Sequence, residues 1–79
     1  MGEVVYFHGV SIRVNLRDHL PPHLHVVGNG GEARFNLKTM EWMESKGFTR
    51  SDLVAIREVI ERRIEECWDE WRRIYGEKN

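Results

Sequence analysis

Val10-Ser11-Ile12-Arg13-Val14-Asn15-Leu16 is the stretch on which the fold turns. Its apolar residues alternate strictly with Ser11, Arg13 and Asn15, and a period of two is that of a β-strand with one face buried. Val4 to Phe7 precedes it across His8-Gly9, where glycine can take the positive φ of a tight hairpin turn. Further on, Leu24 and Val26 alternate with His23 and His25, and Gly28-Asn29-Gly30-Gly31 is turn-prone backbone. Ala33, Phe35 and Leu37 then alternate with Glu32, Arg34 and Asn36. Residues 4–37 therefore read as an antiparallel sheet of three or four strands.

The remainder reads as helix. Thr39 can cap a short helix over about 40–46 that Gly47 closes. Thr49 is a good N-cap for a second helix over about 50–75, with Asp52 in its first turn and Phe48 placed to staple onto Leu53. Leu53, Ile56, Ile60, Ile64, Cys67, Trp71 and Ile74 recur at spacings of three and four, which makes one apolar stripe. Acidic and basic residues fill the other side in pairs about four apart, and Gly76 is the natural stop. Such a helix is about 39 Å long at 1.5 Å per residue, whereas a strand of typical length spans ~20 Å. It must bend, or its Trp68–Tyr75 end must pack against the short helix or another chain.

A chain of 79 residues, with one cysteine and a net charge of −1, bounds the rest. The length fits a single α+β domain over residues 1–79, with a core small enough that a metal or a partner subunit would help it. Cys67 has no second cysteine to pair with, which favours a reducing compartment. The charge balance argues against a strongly basic nucleic-acid module. No apolar run approaches the ~20 residues that a membrane span needs, and no signal peptide is expected, so the reading is cytoplasmic.

The alternation also sorts the strand side chains into two faces. The apolar set matches the helix stripe and should be buried by it. The other set holds Ser11, Arg13, Asn15, His23, His25, Glu32, Arg34 and Asn36, and no element is left to cover it. An ordinary solvated sheet face is the plainest account, since antiparallel sheets commonly have one wet side.

All four histidines fall in the first 25 residues, most of them in Asp18-His19-Leu20-Pro21-Pro22-His23-Leu24-His25. Rings at 23 and 25 on a strand point to the same side. Two imidazoles so placed suit a metal ion, with His19 or Asp18 as a further ligand if the proline turn folds back. Zinc, nickel or copper would be the divalent transition metal. Without a metal, the same histidines suit acid–base work, and Arg13 and Arg34 on their face suit a phosphate, the requirements of RNA cleavage. A purely structural role is a third reading. Cys67 and the tryptophans fit the core or an interface better than chemistry, with Met40 and Met43 filling gaps beneath the sheet.

The motif Asp-His-x-Pro-Pro-His-x-His, preceded by Gly9-Val10-Ser11-Ile12-Arg13, resembles the small bacterial domain-of-unknown-function family 4160. The resemblance continues through Gly31-Glu32-Ala33-Arg34-Phe35, Lys46-Gly47-Phe48 and the final helix with Trp68 and Trp71. It implies Asp18, His19, Pro21, Pro22, His23 and His25 as signature positions. It also implies a toxin–antitoxin-like pair with a small protein encoded nearby. The expectation is a component of such a pair acting on RNA from a histidine site on the open face. A metal-binding protein and a non-enzymatic interaction module, as a homodimer or with another partner, are the alternatives.

Overall fold

The computed structural model describes residues 2–15 and 21–76. They form β1 (Glu3–Phe7), β2 (Val10–Arg13), β3 (His23–Gly28), β4 (Gly31–Asn36), β5 (Glu41–Lys46), α1 (Arg50–Arg62) and α2 (Ile64–Tyr75). The strands make one antiparallel sheet in the order β1-β2-β3-β4-β5, a five-stranded meander. The class is α+β, as the sequence predicts.

Two turns set the register. Phe7 pairs with Val10 across His8 (φ 49°) and Gly9 (φ 81°). Gly28 pairs with Gly31 across Asn29 (φ 51°) and Gly30 (φ 81°). Two central residues at positive φ define the turn whose twist matches that of the flanking strands. The Asn29 amide donates to the His8 carbonyl at 2.8 Å and ties the two turns together. The approach is close enough that a Cβ on Gly28 would meet the Gly9 carbonyl oxygen at 2.1 Å.

The short helix expected over 40–46 is instead β5. The segment is punctuated by positive φ at Met40 and Gly47, and six residues between two such breaks suit a strand better than a helix. Asn36 builds the turn before it. Its side-chain oxygen accepts from the backbone N–H of Lys38 and of Thr39 at 2.8 and 3.0 Å. Pairing also covers the outer edge of β4 and brings Trp42 edge-on against Phe35, ring centroids 5.0 Å apart. A register shift between Arg34 and Phe35 leaves Met43 extra on β5 and 38% exposed, so it does not fill a gap beneath the sheet.

The apolar face is buried as expected. Val10, Ile12, Val14, Leu24, Val26, Ala33, Phe35 and Leu37 are all nearly inaccessible, and Ile56, Ile60, Cys67 and Trp71 from the helices join them. Leu16 lies outside the described residues. Thr49 caps α1 in a reciprocal pair of hydrogen bonds with Asp52, and Gly76 ends α2 at φ 83°. The expected single helix is bent into two. At Arg63 (φ −111°, ψ 26°) the backbone N–H is shared between the Val59 and Ile60 carbonyls, at 3.1 Å each. No proline or glycine stands there. The bend lets Ile56 and Ile60 on one side, and Cys67 and Trp71 on the other, all reach the sheet. No helix among the described residues is long and apolar enough to cross a membrane.

Cys67 sits in this core. Burial pushes its thiol from 9.0 up to about 11, with the charge of Glu66 adding to the rise and Arg63 opposing it. A raised value in the folded chain means the contribution is whole below the unfolded thiol's pKa and is lost as pH climbs through the folded one. The parent should therefore lose stability relative to Cys67→Ala between about pH 9 and 11, by about 2–3 kcal/mol. Urea unfolding of both proteins across that range measures it. In the turns, Gly28→Ala should destabilise by about 3 kcal/mol or more through clash and backbone strain together. Gly30→Ala, with nothing within 4 Å of the added carbon, should cost about 1 kcal/mol from positive φ alone.

Candidate functional site

Strand pairing places the chemistry of the open face in rows. Glu3 pairs with Arg13, Arg13 with His25, His25 with Arg34, and Arg34 with Glu44. Directly paired residues share a face. The result is one row across all five strands: acid, arginine, histidine, arginine, acid. Each arginine is held toward the outer acid on its side. The Arg34 Nη2 lies 3.1 Å from Glu44 Oε1. Arg13 Nε and Nη2 donate to Ser11 Oγ at 3.4 and 3.3 Å, and that hydroxyl donates to Glu3 Oε1 at 3.0 Å. The guanidinium of Arg13 and the carboxylate of Glu3 thus account for Ser11 being only 7% exposed, against the expectation that it lies open.

His23 departs from the expected open position more sharply. It is 4% exposed, and the Trp71 ring of α2 comes within 6.5 Å of its own, centroid to centroid. The end of α2 reaches the start of β3 because the Tyr75 hydroxyl donates to the Asn15 carbonyl at that end of the sheet. The His23 Nδ1 lies 2.7 Å from the Pro21 carbonyl oxygen. A carbonyl only accepts, so Nδ1 carries a proton and donates it to that oxygen. His25 is half-buried, and its ring is 5.1 Å from that of His23, tilted at 48°. The two rings are therefore adjacent, as the two-residue spacing implies; His25 is the more accessible of the two, with its Nε2 shielded from solvent.

A cleft of about 320 Å³ opens beside the row, lined by His25, Val27, Glu32, Ala33, Arg34 and Glu44. Arg34 Nε is shielded from solvent and has no hydrogen-bond partner among the described residues. A second cleft of similar size lies on the helix side, between the hairpin turns and α1, lined by Phe7, His8, Val10, Asn29, Phe48 and Ile56 among others. Two of the polar groups at that end are already engaged: Asn29 with the His8 carbonyl, and Asp52 with the Thr49 N–H. The row is the richer site.

Asp18 and His19, expected to orient or ligate, lie outside the described residues. Among the described residues no cluster of three or more His, Cys, Asp or Glu side chains is placed to hold a metal ion. Glu3 and Glu44 were not legible as site residues. Glu3 precedes the alternating run, and Glu44 fell in the segment read as helix. The signal for Glu44 was available in the short span between the Asn36 turn and Gly47, which suits a strand and hence a position facing Arg34.

No curated protein and no solved structure matches the chain. A family model matches residues 9–72, which takes in Arg13, His23, His25, Arg34 and Glu44. Over that span, most of its length, the chain belongs to the family described as a domain of unknown function, DUF4160.

Proposed function

We propose that this protein is a component of a toxin–antitoxin-like pair that acts on RNA, with the Arg13–His25–Arg34 row as the contact to phosphate. The observation that carries the reading is the register: it stands one half-buried imidazole between two guanidinium groups on the same face. Guanidinium groups match phosphate oxygens in shape and charge. An imidazole between them is the group able to move a proton near neutral pH. His23 then acts as a positioning residue behind His25, held in one tautomer by the Pro21 carbonyl. Asp18 and His19, on the neighbouring segment, belong to the same proposal as orienting groups. The partner is a small protein encoded nearby, and a cytoplasmic setting follows from the RNA substrate.

A metal centre is the second reading. It is favoured by the Nδ1 hydrogen bond of His23, since a ring nitrogen tied to a carbonyl is the usual support for an imidazole ligating through its other nitrogen. Zinc, nickel or copper would then sit on His23 and His25, with Asp18 or His19 added. Elemental analysis of purified protein separates the two: stoichiometric metal lost in His23→Ala/His25→Ala favours the metal centre.

Induced expression of the protein should slow growth and shorten cellular RNA. His25→Ala should abolish both effects, and Arg13→Ala or Arg34→Ala should weaken RNA cleavage by about 10²-fold or more. Val54→Ala, at an exposed position of α1, is the control that should behave as the parent. Normal growth and intact RNA at high expression, with the histidine variant identical to the parent, would sink the RNA reading.

A further inference from the structure

The proposed phosphate contact is hemmed in by acids. Glu3 and Glu44 end the row on either side of the arginines. One row along the strands, Ser11, Val27, Glu32 and Lys46 are paired in turn, which puts Glu32 beside the cleft. One row the other way, His23 pairs with Asn36 and Asn36 with Glu41. With strands about 4.8 Å apart, the two arginines stand about 10 Å from each other and the outer acids about 19 Å. The two arginines and two glutamates of the row cancel. Lys46 at the corner is the one further cation in these three rows.

A single phosphate above His25 would reach both guanidinium groups once Arg34 turns inward from Glu44 and Arg13 from Ser11. A second phosphate on the same strand, displaced along the row, moves toward Glu3 or Glu44. Displaced along β3 toward the hairpin turn, it moves toward Glu32. Either way it loses attraction and gains repulsion. Val27, 42% exposed next to His25 on β3, leaves an apolar footing for one sugar or base beside the phosphate.

We infer that the row takes one phosphate at a time, so that its ligand is a nucleotide or an RNA strand end rather than an extended backbone, and that Glu44 and Glu32 set this limit. The inference rests on the RNA reading above and narrows its substrate. The net charge of −1 agrees with it, because a site for a polyanion draws on a surplus of cations that this chain lacks.

The test is binding of a nucleoside monophosphate, a ten-nucleotide single strand with a 5′-phosphate, and the same strand without it, over a salt series. Affinities for the first two should agree within about threefold. The slope of log K against log salt should be about −0.7, the value for one phosphate contact on a single strand. Comparing the nucleotide with the two strands separates free nucleotide from strand end as the source. Glu44→Gln/Glu32→Gln should tighten the ten-nucleotide strand at least fivefold more than it tightens the monophosphate, and steepen the strand's slope to about −1.4 or beyond. A parent slope of about −3 with affinity rising with length would overturn the inference while leaving the RNA reading standing. An unchanged length preference in the double variant would do the same. A folded parent that binds none of the three ligands would remove both.

Discussion

The Asn29-Gly30 turn is two residues long and leaves no slack between β3 and β4. Because side chains alternate across a strand, a slip of one residue would send His25 into the core and Leu24 into water. The neighbouring His8-Gly9 turn imposes the same discipline on β1 and β2, and the Asn29 side chain couples the two. The row of charged groups on the open face exists only because both registers hold at once. Turn geometry at one end of the sheet therefore decides which groups meet at its centre.

The helices depend on the same sheet. A straight rod over a twisted sheet cannot keep its whole apolar stripe in contact with it. The shared hydrogen bond at Arg63 lets the second half swing so that Cys67 and Trp71 stay buried. That swing also carries Trp71 to the edge of the histidine segment. Trp71 is thus one neighbour of the buried His23, and His25 beside it is half-buried with its Nε2 shielded from solvent.

The balance of charge on the open face follows from the strands that end it. β1 contributes Glu3 and β5 contributes Glu44, and each restrains an arginine, directly or through Ser11. Such surface pairs add little to stability. Their effect is to orient the guanidinium groups and to reduce the field around them, which favours selectivity over raw attraction.

Much of this was legible in the chain. The alternating runs, the glycine-bearing turns, the Thr49 cap and the helix stripe each state a local preference that the fold keeps, because backbone sterics and burial act over a few residues. The facing of His25, Arg13 and Arg34 follows from parity alone. What tertiary structure decided was the fate of residues 41–46, which become a strand because β4 offers an open edge and Phe35 a surface for Trp42. It also decided the bend at Arg63, the burial of His23 and the arrival of Glu3 and Glu44 at the two ends of the row. Those outcomes rest on pairings between distant segments, and no local period in the sequence records which strand a charged residue will stand beside.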